Sequence, residues 1–270
     1  MKSAITVSLV PEALGGPFVF WNGLEDAFLR AARLGFDAVE IFAPDAGALD
    51  AGEIRELMER HGLAVAAVGT GAGWVKHKLH LCHADRDLRM RARAYLLEMV
   101  EAGARLGAPA VLGSMQGRVE PGVEREQALD WLAEALQEAG EAASARGTFF
   151  LYEPLNRYET NIFNRQLDAA AFVAQRGGAH VRILADLFHM NMEESDLPAV
   201  LRELGAALGH VHFADSNRRA VGFGHTRMPP VLEALESIGY AGYLCAEVLP
   251  LPDADSAAER TIRSFRELLS

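Results

Sequence analysis

Glu153, Asp186, His212 and Glu247 each stand at the carboxyl end of a separate apolar run. The runs read TFFLYEP, VRILADLF, HVHFAD and YLCAEV. An ionised carboxylate ending such a run is costly to bury without a partner. One such residue alone reads as half of a structural ion pair. Four of them at successive run ends read as one shared site. Three carboxylates and one imidazole, with no thiolate, make an oxygen-rich donor set for one divalent metal ion. That set suits Mn2+, with Co2+ and Mg2+ as alternatives, rather than a structural zinc. A metal held this way keeps positions open for substrate oxygens and can polarise a bound carbonyl as a Lewis acid. A hydrogen α to that carbonyl is then within the reach of carboxylate general acid/base chemistry.

Strand-like runs alternate with helical patterns eight times along the chain. The expected strands are Ala4–Val10, Ala38–Ala43, Leu63–Gly69, Pro109–Met115, Thr148–Glu153, Val181–Leu187, His210–Asp215 and Tyr243–Leu249. The helices between and after them are Leu24–Leu34, Ala51–His61, Asp85–Leu106, Glu124–Arg146, Leu167–Gln175, Pro198–Leu208, Pro229–Ile238 and Ser256–Leu269. The strands are unbroken apolar runs rather than alternating ones, as expected where helices cover a parallel sheet. Gly35, Gly62, Gly107 and Gly239 follow helices, where a left-handed terminal residue is favoured. Eight repeats and polar residues at the strand ends predict a single (β/α)8 barrel over residues 1–270. In such a barrel, active sites lie at the carboxyl face.

The chain has 270 residues, half of them hydrophobic, which fits one barrel of roughly 250 residues. No Pro/Ser/Gly-rich linker divides it. A formal charge of -11 argues against a nucleic-acid partner, which needs basic surface to displace counterions. No apolar stretch approaches the ~18 residues that span a membrane, and the amino terminus reads as a first strand rather than a signal peptide. Cys82 and Cys245 imply no disulfide framework, so a cytoplasmic, reducing setting is expected. Trp74–Ala84 holds Lys76, His77, Lys78, His80 and His83 in irregular spacing. This segment reads as a mobile lid or solvated loop rather than a metal site.

Four stretches carry a resemblance that extends over nearly the whole chain. They are EPLNRYETNIFN (Glu153–Asn164), ADLFHMNMEE (Ala185–Glu194), HFADSNRRAVGFGH (His212–His225) and AEVLPLP beginning at Ala246, joined by the GTG after the third strand. Together they resemble the xylose-isomerase-like TIM barrel superfamily of sugar isomerases and epimerases. Within it they are most similar to the ketose 3-epimerase branch of D-tagatose 3-epimerase, D-allulose 3-epimerase and 5-keto-L-gluconate epimerase. The resemblance implies that Glu153, Asp186, His212 and Glu247 bind the metal, and that Glu153 and Glu247 are also the acid/base pair. It implies that Glu159, His189 and Arg218 hold the substrate, and that the protein is a homo-oligomer, dimer or tetramer. The implied reaction is C3 epimerisation of a ketohexose or keto-uronate through a metal-held enediolate. Asp215 departs from the pattern, which often has Glu there, and leaves the sugar open.

Several residues have secondary readings. Glu40, ending the second strand, reads as a support for the site rather than a catalyst. Trp21, Trp74 and Phe223 are candidate apolar walls for a sugar. Gln116 and Arg118 are candidates to meet the far end of a substrate, where Arg suits a carboxylate or phosphate. Competing activities on the same fold are an aldose–ketose isomerase and an inosose dehydratase. A DNA-repair endonuclease is disfavoured because the third and fourth strand ends read VGTG and GSMQG, without histidine. A non-enzymatic sugar-binding barrel is disfavoured because both Glu153 and Glu247 are present.

Overall fold

Unbroken runs of Val, Ile, Leu and Ala cannot leave either face to water, so they pair as a sheet that other elements must cover. A computed structural model describes residues 1–269. Its strands are β1 (Lys2–Ser8), β2 (Ala38–Phe42), β3 (Ala64–Gly69), β4 (Ala110–Leu112), β5 (Phe150–Tyr152), β6 (Val181–Asp186), β7 (Leu208–His212) and β8 (Tyr243–Ala246). They pair in chain order, all parallel, and close as a barrel with Lys2 opposite Tyr243 and Ile5 opposite Ala246. This is the (β/α)8 architecture that the alternation predicts.

The helices are α1 (Leu24–Leu34), α2 (Ala51–His61), α3 (Ala72–Val75), α4 (Arg86–Arg105), α5 (Arg125–Ser144), α6 (Gln166–Phe172), α7 (Leu187–Glu193), α8 (Leu197–Leu204), α9 (Met228–Ser237) and α10 (Ala254–Leu269). Their ends carry local signals. Asp50 caps α2 by accepting from the Gly52 and Glu53 amides, and Asp85 caps α4 in the same way. Gly35 and Gly62 close α1 and α2 in the left-handed conformation. Among the described residues, no helix is long and apolar enough to cross a membrane.

Several expected strands end early. β4 stops at Leu112 and the chain turns through Ser114–Gln116, while β7 stops at His212 and β8 at Ala246. Beyond these points the backbone leaves the ladder to build the loops of the carboxyl rim. The short helix α7 is absent from the sequence prediction. The Asp186 carboxylate starts it by accepting from the Phe188 amide at 2.7 Å. Helix α6 is shorter than predicted because the backbone widens into a π-turn at Val173–Gly177.

Side chains two apart on a strand share a face. Leu151 therefore lies below Glu153, Leu184 below Asp186, His210 below His212 and Cys245 below Glu247. Leu151 and Leu184 join Ala67 and Val111 in one buried cluster, while Cys245 joins Ala4, Ala38 and Ala66 in another. These clusters are the floor on which the polar residues stand. Leu184 is fully buried, so Leu184→Ala is expected to cost about 2–5 kcal/mol. Urea unfolding is the check: the midpoint should fall with the slope unchanged.

Candidate active site at the carboxyl rim

Glu153 follows the last residue of β5, Asp186 and His212 end β6 and β7, and Glu247 follows β8. The barrel brings all four together. One donor atom from each lies within 4.8 Å of the others. The His212 Nδ1 is 3.3 Å from Glu153 Oε1, 3.4 Å from Asp186 Oδ2 and 3.4 Å from Glu247 Oε2. Asp186, His212 and Glu153 are buried and Glu247 nearly so. Glu153 Oε1 and His212 Nδ1 are buried with no well-aligned hydrogen-bond partner. Native interiors rarely leave such atoms unsatisfied without an ion or water to serve them. The orphaned atoms face one another, and the donor set is one nitrogen and three carboxylate oxygens. The residues fit a hard or borderline divalent cation.

Glu40 sets the orientation of the imidazole. Its carboxylate reaches across from β2, with Oε1 3.2 Å from His212 Nε2 and Oε2 2.9 Å from His210 Nε2. An acceptor at Nε2 keeps a proton there and turns Nδ1 toward the carboxylates, as ligating histidines commonly require. The supporting reading of Glu40 fits this geometry. Burial pushes the Glu40 carboxyl up, but the charge of His212 and bonds to both histidines outweigh it and hold it below the usual carboxylate range.

The other charges are set by the same crowding. Burial pushes Glu153 up to about 8, with repulsion from Glu247 and Asp186 adding to it and His212 opposing. Burial likewise raises Glu247, against the pull of His212 and Arg218. Asp186 is held low despite its burial, chiefly by Arg218 and then by His189 and His212. Burial disfavours the His212 cation, yet Glu247 and Glu40 keep it well above its ordinary value.

His189, on α7, lies against this cluster. Its Nε2 is 3.6 Å from Asp186 Oδ2 and 3.3 Å from an Arg218 nitrogen, and its Nδ1 is 2.8 Å from Asn156 Nδ2. Burial pushes it down to about 4, so it is neutral at pH 7. Arg218 contacts Asp186 Oδ2 at 3.3 Å, makes a short contact to Glu247 Oε2 and lies over the Phe188 ring. Glu159 stands farther out, half-exposed, accepting from Asn156 Nδ2 at 2.9 Å. All three expected substrate-holding residues therefore line one cavity with Glu153, His212 and Glu247.

Some expectations need correction. Trp74–Ala84 is not a solvated loop, because Leu79, Leu81 and Cys82 pack into the core. His80 Nε2 meets Glu120 Oε1 at 3.2 Å, and Glu120 Oε2 accepts from the Ala84 amide. The His83 Nδ1 accepts from the Asp85 amide, which leaves its proton on Nε2 facing Glu120. The trio thus ties two loops together rather than offering three lone pairs to a cation. Gln116 is fully buried, where it donates to the Glu153 and Gly113 carbonyls and accepts from the Tyr152 hydroxyl. It braces the Glu153 backbone and does not reach the cavity. Trp21 packs edge-on against Phe18 and donates to its carbonyl, and Phe223 sits under Arg260. Of the expected walls, Trp74 lines the cavity, and so does Arg118.

The sequence reading missed Asn156, His210, Phe188, Tyr158, Phe42 and Leu14. Only His210 carried a signal, lying two residues before His212 and so on the same strand face.

Comparisons with known proteins identify the family. A model of the xylose isomerase-like TIM barrel family matches residues 28–268. A D-psicose 3-epimerase of Ruminiclostridium cellulolyticum is 29% identical over 225 residues, covering 81% of this chain and 75% of its own. A 3-dehydro-D-guloside 4-epimerase of Escherichia coli is 29% identical over 240 residues, covering 84% and 88%. The crystal structure of a 3-keto-D-glucoside 4-epimerase from E. coli superposes with a TM-score of 0.83 at 23% identity, covering 99% of this chain and 100% of that one. At that identity the superposition speaks for the fold, and the family match carries the assignment: this chain belongs to the xylose isomerase-like TIM barrel family.

Proposed function

We propose that the protein is a divalent-metal-dependent carbohydrate epimerase that inverts C3 of a keto-sugar, a ketohexose or a keto-uronate. The observation that carries this reading is the placement of Glu153 and Glu247. They enter one cavity from β5 and β8 as members of a single cluster fit for a cation, and His189, Arg218 and Glu159 line the same cavity. The names of the relatives support the reaction class. A Mn2+ ion, with Co2+ or Mg2+ as alternatives, would be held by Glu153, Asp186, His212 and Glu247 and would supply Lewis acidity toward the substrate carbonyl.

The chain's own groups do the rest. One of the two glutamates takes the C3 proton from one face of the sugar, which leaves an enediolate. The other delivers a proton to the opposite face, so the centre inverts and no redox change occurs. Arg218 offers fixed donors to the developing oxyanion. Neutral His189 and Glu159 position the hydroxyls. Two buried, unpaired thiols suit a cytoplasmic setting, and we place the protein there as a homo-oligomer acting on a small keto-sugar rather than on nucleic acid or membrane.

The test is proton NMR in D2O after incubating the Mn2+-loaded protein with fructose, tagatose, allulose and tagaturonate, with the metal stripped before acquisition. Deuterium at C3 with formation of the C3 epimer is the expected result. Exchange at C1 with an aldose product would make it an aldose–ketose isomerase, and loss of water would make it a dehydratase. Glu247→Gln is expected to slow C3 exchange by about 10²–10⁴-fold. Its folding stability should change little, because the variant removes one of three crowded buried carboxylates. Retained exchange would defeat the two-carboxylate mechanism.

Metal affinity should depend on pH with a defined sign. At pH 7 the metal-free site holds a proton on Glu153, whose carboxyl lies at about 8, and another on His212. A cation must displace both, so affinity falls as pH drops below about 8. Calorimetric Mn2+ titrations at pH 7 in buffers of different ionisation enthalpy should report release of roughly one to two protons. Heats independent of buffer would contradict this assignment.

A further inference from the structure

The turn that follows β5 clamps Asn156 from several sides. Its carbonyl accepts from the Glu159 and Thr160 amides, and its Oδ1 accepts from the Tyr158 amide at 3.0 Å. Its Nδ2 lies 2.9 Å from Glu159 Oε1 and 2.8 Å from His189 Nδ1. The side-chain amide cannot be turned over, because Oδ1 would then face a carboxylate oxygen and Nδ2 an N–H group. Nδ2 is therefore the atom against His189, and it can only donate. The Asn156 backbone N–H points at the same ring nitrogen from 3.4 Å. Two donors aimed at Nδ1 require a lone pair there, so the ring is neutral and carries its proton on Nε2. Asp186 Oδ2 at 3.6 Å and Glu153 Oε1 at 3.8 Å favour a proton on that side. Left alone, Glu159 would draw the proton the other way, since its Oε1 is 3.8 Å from Nδ1. The Asn156 amide bridges the two and occupies both acceptors. Asn156 and His189 are both buried, and His189 lines the cavity.

The proton on Nε2 has a neighbour of its own kind. Arg218 Nη1 lies 3.3 Å from Nε2, and a guanidinium only donates. Were Arg218 to donate to a bare Nε2, the ring proton on Nδ1 would collide with the amide at 2.8 Å. The shorter contact and the second donor at Nδ1 decide against that arrangement. Two N–H groups that cannot bond each other, both on residues lining the cavity, are left to share one outside acceptor. We propose that Asn156 is a positioning residue: it fixes His189 in the Nε2–H tautomer, so that this N–H and the Arg218 donor converge on the substrate oxygen that gains charge as the C3 proton leaves. The role rests on the epimerase reading above. Asn156 acts through His189 and does not itself reach the substrate. His189 transfers no proton; its N–H only donates, and the C3 proton moves by way of Glu153 and Glu247. Donors fixed in advance need no reorganisation at the moment of reaction, which is the source of their effect on rate.

The tautomer is read directly by nitrogen NMR of Mg2+-loaded protein labelled with 15N-histidine. The His189 resonances are those lost in His189→Gln. A pyridine-like Nδ1 and a pyrrole-like Nε2 are expected. The reverse pattern in the wild-type protein would overturn the proposal whatever the variants do. Asn156→Asp places an acceptor against Nδ1, so that nitrogen should become pyrrole-like. C3 exchange on the fastest of fructose, tagatose and allulose should then fall by about 10²–10³-fold in kcat, with KM nearly unchanged. Asn156→Ser removes the donor without adding charge. It should shift the resonances the same way through Glu159, and it serves if the aspartate variant does not fold. Unmoved resonances, or moved resonances with kcat intact, would overturn the proposal. In the His189→Gln background the Asn156 substitution should cost far less, because no tautomer remains to be set. An equal loss in both backgrounds would make Asn156 merely structural and also overturn it. No C3 exchange on any ketose by the Mn2+-loaded wild-type protein would overturn the epimerase reading and the role built on it, while the resonances would still show which ring nitrogen carries the proton.

Discussion

Three carboxylates meeting one imidazole nitrogen in a buried site is the constraint on which the rest of this molecule turns. Removing each ion from water costs several kcal/mol, and like charges crowded together add to that cost. Arg218 offsets part of it by facing Asp186 and Glu247. His212 offsets more, held cationic by Glu247 and Glu40. The remainder shows in Glu153, whose carboxyl is forced up to about 8, and in oxygen and nitrogen atoms with no aligned partner. A divalent cation would relieve both at once, by neutralising the carboxylates, displacing the two protons and satisfying the orphaned atoms. Protein stability and metal affinity are therefore two readings of one electrostatic arrangement.

Such an arrangement needs a stiff frame, since errors of an ångström in a site cost much of its function. The barrel supplies it through strand alternation. Each polar residue at the rim stands directly above a small or apolar neighbour two positions earlier, and those neighbours interlock in the interior. His210 is the exception, a polar residue one layer down. It is what allows Glu40 to hold His212 from behind, because Glu40 bonds both imidazoles at once. The buried Gln116 plays the matching part for β5, fixing the Glu153 carbonyl and the Tyr152 hydroxyl together. The cluster is thus supported from the second and fourth strands although its four residues come from the fifth to the eighth.

What could be read from the sequence follows from how local each signal is. Strand number and order, helix-ending glycines such as Gly35 and Gly62, and the four polar strand ends are all written in short local patterns. Helix α7 was not legible, because about two turns starting after Asp186 carry no amphipathic stripe long enough to detect. The Trp74–Ala84 segment was misjudged because its lysines and histidines dominate its composition, while Leu79, Leu81 and Cys82 decide where it packs. Gln116 and Trp21 were placed on the rim by proximity in sequence. Their actual direction depends on partners 37 and 3 residues away that no local pattern specifies. The cavity's apolar wall gathers residues from separate loops, so it could be seen only once the barrel was closed.

Arg218 shows how far the chain goes to keep this centre intact. It sits at φ 57°, in the left-handed region where a non-glycine residue carries strain of roughly 1–3 kcal/mol. Asp215 is what holds it there. Its carboxylate accepts from the amides of Ser216, Gly222, Gly224 and Thr226, and its carbonyl accepts from the Arg218 amide. The loop closes so tightly around this acid that a Cβ on Gly224 would lie 2.4 Å from Asp215 Oδ1. A glutamate, longer by one methylene, could not enter the same ring of amides without opening it. The aspartate at this position is therefore a property of the loop that carries Arg218, and its identity bears on the sugar only through where that guanidinium is held.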